Sequence, residues 1–149
     1  KSPNAIEFYQ NARKERADKM PVTVKTVLLF GHIMRARYGN YYSAKAQNLV
    51  RLLKESYDQV FKEHDLIIMP TTPMKAHLIP PADATPATIL GNALDMLTNT
   101  CPFDSTGHPS MSIPIGTSGG LPIGMMITGR IGEDDTVLRA AQAFEKLGS

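Results

Sequence analysis

The chain has 149 residues, 42% hydrophobic and 20% charged, with a formal net charge of +2; this suits one globular domain with a core of its own. The small charge and the lack of a basic run argue against a nucleic-acid partner, and no apolar stretch approaches the ~20 residues of a membrane span. A single cysteine excludes an internal disulfide framework and points to a reducing, cytoplasmic setting.

In chain order, Lys1 to Met20 is polar, with Ile6, Phe8 and Tyr9 as its apolar content, and reads as a peripheral helix. Asn4 is a candidate cap, and Arg13, Lys14, Glu15, Arg16, Asp18 and Lys19 give it a solvated face. Pro21 breaks the pattern. Val24, Val27, Leu28, Leu29, Phe30, Ile33 and Met34 then predict a buried helix over Val22–Met34. Tyr41 to Lys62 is the clearest helix, because Tyr42, Ala46, Leu49, Leu53, Tyr57 and Val60 form one apolar stripe, expected to be core. Leu66–Met69 is an unbroken apolar run, expected as a strand buried on both sides and stopped by Pro70 and Pro73. Met74 to Pro86, with Pro80 and Pro81, reads as a surface loop. Thr88–Thr98 has helical spacing, with Thr85 or Thr88 as caps.

The stretch Asn99–Gly129 is the organising element. It opens with a loop over Cys101–Pro109, stiffened by Pro102 and Pro109 and bent at Gly107. Two alternating runs follow, with Met111, Ile113 and Ile115 on one face of the first and Ile123, Met125 and Ile127 on one face of the second. The turn composition Gly116–Gly120 lies between them, so a hairpin or neighbouring strands are expected. Glu133, Asp134 and Asp135 open a last helix, whose buried face would be Val137, Leu138, Ala141 and Phe144. Lys1-Ser2-Pro3-Asn4 lacks a signal peptide's apolar run and an initiator methionine. Leu147-Gly148-Ser149 ends with the helix. The expectation is a piece of a longer chain.

No complete catalytic constellation emerges from these residues. Gly116-Thr117-Ser118-Gly119-Gly120 matches G-x-S-x-G, but a second strand follows where a nucleophile elbow needs a helix. Cys101 could act as a thiolate with His108 as its base, yet nothing near it in sequence lowers its pKa, and a small apolar filler explains it as well. His32, His64 and His77 have no partner at metal or catalytic spacing.

Three stretches in register resemble the C-terminal part of the amidase signature family: Tyr41–Gln47 with its helix, Asp65–Pro73, and Pro102–Pro114 continuing into Gly120–Ile127. The likeness runs from about Val22 to Leu147. It implies an α/β fold, the C-terminal part of an α/β/α sandwich around a mixed sheet, with residues 21–149 supplying its helices and strands. The family hydrolyses or transfers the amide group of small amides through a Ser–cis-Ser–Lys triad, with no cofactor. The Gly/Ser-rich region that carries the triad has no counterpart here, so no residue inherits a catalytic role and the piece alone is expected to be inactive.

The resemblance further implies that Leu97, Cys101 and Phe103 lie beside the substrate cleft as pocket wall. In the glutamine-using amidotransferase, the position matching Leu97 resembles an aspartate that would hold the substrate's amino group; an apolar residue cannot pair with a buried ammonium. The implied protein is therefore an amidase for small monoamides. The alternatives are the amide-cleaving component of a glutamine-dependent amidotransferase or a non-catalytic binding domain. Its expected partners are the N-terminal part of the amidase, a small-molecule amide and, in a homodimer, a second copy.

Overall fold

The computed structural model describes residues 3–148. Lys1, Ser2 and Ser149, on which the reading of the two ends partly rests, lie outside the described residues. The elements are α1 (Pro3–Arg16), α2 (Val22–Tyr38), α3 (Tyr41–Val60), β1 (Leu66–Pro70), α4 (Pro86–Asp95), α5 (Cys101–Thr106), β2 (Ser110–Ser118), β3 (Leu121–Gly129) and α6 (Asp134–Leu147). A 3₁₀ turn, Ala17–Lys19, links α1 to α2. Asn4 is not a cap: α1 begins one residue earlier, so Asn4 sits in its first turn.

The hairpin β2–β3 is the centre of the fold. Gly119 and Gly120 both have positive φ, 62° and 79°, as the two-residue type I′ turn between Ser118 and Leu121 requires. β1 adds to the other side of β3, giving an antiparallel sheet of order β1-β3-β2. Pro114 can stand in β2 because that strand is an edge, and a bulge at Ile115 breaks the register there. The alternation in the sequence holds as far as the bulge. Met111, Ile113, Met125 and Ile127 meet Val137, Ala141 and Phe144 of α6 in the core, while Ile115 falls out to solvent. The strand at Gly129 lies so close to α6 that a Cβ there would stand 2.7 Å from Val137 Cγ2. On the opposite face, Met126, Ser110 and Ser112 meet Phe103 and His108. The result is an α/β arrangement with helices on both faces of the sheet.

Several expectations are corrected. Leu66–Met69 is not buried on both sides; β1 is an edge strand, and Ile68 is 60% exposed. The predicted helix from Val22 exists and runs on to Tyr38, where Gly39 at φ 57° ends it, but it is not buried. Val27, Leu28, Leu29, Phe30 and Ile33 are exposed, because α4 and α3 cover only part of its circumference. The α3 stripe is core only towards its C-terminal end: Tyr42, Leu49, Leu53 and Val60 are exposed, while Tyr57 packs on Phe103 with ring centroids 4.8 Å apart. Leu138 is exposed rather than part of the buried face of α6. Cys101–Thr106 is a short helix rather than loop, and Gly107, at φ 80°, closes it in the left-handed conformation.

Candidate functional site

The corner between α4 and α5 is built locally. The Thr85 hydroxyl accepts from the Thr88 N–H at 3.2 Å and caps α4, with Pro86 in its first turn. The turn after α4 is closed by Cys101 N–H donating to the Leu97 carbonyl at 2.9 Å and by the Thr98 hydroxyl donating to the Asp95 carbonyl at 3.1 Å. Asn99 Nδ2 donates to the Pro70 carbonyl at 2.8 Å, which ties this corner to the end of β1.

α5 therefore presents two faces. One carries Cys101, Pro102 and Ser105 into an open groove of about 470 Å³, whose far wall is Leu49, Val50 and Leu53 of α3 and whose end is Leu94, Leu97 and Thr98. No charged side chain lines it, so it can accept an apolar group and offers nothing to hold an ammonium. The other face carries Phe103 and Asp104 into a smaller pocket of about 230 Å³, with Thr71, Thr100, His108, Ser110, Ser112 and Met126. The structure thus brings Leu97 and Cys101 together and places Phe103 on the opposite side of α5, buried against the sheet.

His108 is not a base for Cys101. Its side chain is 0% exposed and both ring nitrogens are engaged. Asp58 Oδ1 lies 3.3 Å from Nε2 and Thr106 Oγ1 lies 2.8 Å from Nδ1. A carboxylate can only accept, so Nε2 carries the hydrogen, and the Thr106 hydroxyl donates to Nδ1. Asp58 Oδ2 also takes a 2.6 Å bond from Lys54 Nζ. The Lys54 hydrogen bond first, and His108 next, hold the Asp58 carboxyl below its ordinary value, against the opposing effect of partial burial. Ser118 sits at the end of β2, opposite Leu121 in the hairpin, and not at a strand-to-helix elbow. Among the described residues no group of three His, Cys, Asp or Glu side chains could hold a metal ion, and no helix is long and apolar enough to cross a membrane.

Sequence reasoning missed two networks. The Asp58–His108 pair spans fifty positions and has no motif spacing to announce it. Arg130 gathers four acceptors: the Phe61 carbonyl at 2.7 Å, the His64 carbonyl and Asp65 Oδ1 both at 3.1 Å, and Glu133 Oε2 at 3.3 Å.

Comparison with known proteins decides the family. The family model described as Amidase matches residues 3–138. The chain belongs to the amidase family. It is similar to a Rhodococcus erythropolis protein described as an uncharacterized protein in the nthA 5′ region, 45% identical over 97% of this chain and 73% of that one. It is similar to the enantioselective amidase of Rhodococcus rhodochrous, 42% identical over 96% of this chain and 28% of that one. Among solved structures, it resembles the glutamyl-tRNA(Gln) amidotransferase GatA-type component of Thermotoga maritima. There the TM-score is 0.61 at 28% identity, over 82% of this chain and 26% of the other. The chain thus spans most of one relative but only about a quarter of the amidase and of the amidotransferase component. Within the family, the resemblance reaches both hydrolases and amidotransferases.

Proposed function

We propose that this chain is the C-terminal part of an amidase that hydrolyses small carboxylic acid amides to the acid and ammonia. In this reading it supplies pocket wall, and the nucleophile and its proton relay come from an N-terminal part of the enzyme. The observation that carries the reading is the groove of Leu97 and Cys101, apolar on every side and free of carboxylates. Such a wall packs against the hydrocarbon part of an amide, keeps water from it and fixes its orientation, while leaving the bond-breaking groups to another surface. Phe103 contributes from behind, as the buried support of α5. The whole chain, residues 1–149, forms one piece of a single amidase domain.

The similarity to the glutamyl-tRNA(Gln) amidotransferase supports a second reading, in which glutamine is the amide donor. Against it stands the lack of any carboxylate in the groove to take the α-ammonium of glutamine. Substituting this chain for the corresponding segment of the Rhodococcus rhodochrous enantioselective amidase tests both. The expected chimera releases ammonia from small apolar amides, the 149-residue chain alone releases none, and Leu97→Asp in the chimera lowers kcat/KM roughly ten- to a hundredfold. A folded chimera active on glutamine alone would favour the second reading. Ammonia release by the isolated chain, dependent on its own serine or cysteine, would overturn the first.

A further inference from the structure

We propose that the hydrogen bond between His108 and Asp58 is a strut that sets the width of the Leu97–Cys101 groove, which makes His108 a positioning residue for whatever the groove holds. The consequence for amide size rests on the function proposed above; the geometry of the strut does not.

The groove has α3 as one wall and α5 as the other. α5 has six residues, too few to hold its own place by helix formation. Its position on α3 depends on what joins the two. Phe103 meets Tyr57 of α3 through a tilted ring contact, and the His108 ring stacks on Phe61 at 5.3 Å and stands edge-on to Tyr57 at 5.6 Å. Ring contacts of this kind allow sliding. The bond from His108 Nε2–H to Asp58 Oδ1 is directional, and among the described residues it is the side-chain hydrogen bond that joins α3 to the corner between α5 and β2.

Each end of the bond is itself fixed. On α3, Lys54 holds the second Asp58 oxygen. At the corner, the buried Thr106, the last residue of α5, holds Nδ1. A chain of polar contacts therefore runs from Lys54 through Asp58 and His108 to Thr106, directly beneath the two walls. The strut lies on the far side of α5 from the groove, in the pocket that also holds Phe103 and Asp104. It can act on the groove only by placing α5, and it touches nothing that would occupy the groove.

Cys101 is the one cysteine of the chain, is exposed, and lines the groove, so its alkylation reads the groove directly. The measurement is the ratio of the rate with a bulky apolar reagent, pyrenyl maleimide, to the rate with a small one, iodoacetamide. A change in thiolate population or in global unfolding shifts both rates together and leaves the ratio unmoved. Asp58 is half-exposed, so its replacement spares the core. Asp58→Ala is expected to raise the ratio about three- to tenfold, the span of one lost hydrogen bond. Asp58→Asn keeps an acceptor for Nε2–H and is expected to restore the wild-type ratio. Asp58→Leu, which removes the acceptor while favouring the helix, serves as a second loss variant should the alanine chain prove unstable. A ratio unchanged or lowered in the loss variants, or raised equally by Asp58→Asn, overturns the strut. Since no amide is hydrolysed in this experiment, that failure would leave the proposed amidase reading standing.

Discussion

Two regions of this chain have similar apolar content and opposite fates. In the hairpin, Ile127 is 1% exposed; in α2, Phe30 is 64% exposed. β2 and β3 find each other across a two-residue turn, and α6 follows at once to cover them, so every partner the strand needs lies within some forty residues of sequence. α2 is different. It is apolar around most of its surface, and α3 and α4 occupy only part of that surface. An apolar run therefore states that a surface is suited to burial, but local sequence supplies the cover only where turns and register bring a partner back.

The sharpest way to break this comparison is a pair of substitutions. Ile127→Ala deletes side-chain volume from the packed seam between sheet and α6, and is expected to cost about 2–5 kcal/mol of unfolding free energy. Phe30→Ser removes a larger side chain from an exposed face and is expected to stay within ~0.5 kcal/mol, while reducing self-association. Urea unfolding of the two variants and sedimentation of the second check this. Equal destabilisation by both would show that α2 is as firmly packed in solution as the sheet.

A smaller effect probes the join between the regions. Arg130, just after β3, reaches back to the carbonyls of Phe61 and His64, where α3 ends and β1 has yet to begin. It satisfies acceptors that a helix C-terminus leaves open. Arg130→Met is expected to cost ~1–3 kcal/mol, the range for charged hydrogen bonds. Arg130→Lys should recover only part of that, because an ammonium cannot match the fork of a guanidinium. Faster amide exchange confined to residues 61–66 would localise the loss; uniform acceleration over the whole chain would show that Arg130 acts elsewhere.

What could be read in advance follows the same division. Gly119 and Gly120 between alternating runs specify the hairpin, Thr85 before Pro86 specifies a helix start, and Glu133–Asp135 specify another, since each signal acts over a few residues. The edge position of β1 could not be read from Leu66–Met69, because burial of a strand depends on which neighbours pair with it, and β3 arrives over fifty residues later. The stripe of α3 gave its helix correctly, but its coverage depends on short α5, whose residues looked like loop because Pro102 and Gly107 bracket only six positions. The candidate residues split for a related reason. Leu97, Cys101 and Phe103 are close in sequence, yet a single helical turn sends Phe103 to the other side of α5. His108 lost its expected role because its partners, Asp58 and Thr106, are set by tertiary packing.

The smallest expected effect concerns that last group. Asp58 carries a carboxyl held below its ordinary value of 3.8 in the folded chain, mainly by Lys54 and then by His108. A folded-state value below the unfolded one means that the unfolded chain binds the proton more readily. The stabilisation is therefore fully present above about pH 4 and drains away as pH falls through the folded value. Both Asp58 and Lys54 are substantially exposed, so the contribution stays within the ~0–1 kcal/mol of a solvated ion pair. Asp58→Asn removes the titrating group but keeps an oxygen for His108. Plotted as urea midpoint against pH, the wild type should stand slightly above Asp58→Asn near neutrality, and the two curves should converge towards about pH 3. A gap that persists undiminished into acid would mean that the ionised carboxylate contributes nothing, and that Lys54 and Asp58 are neighbours without being a working ion pair.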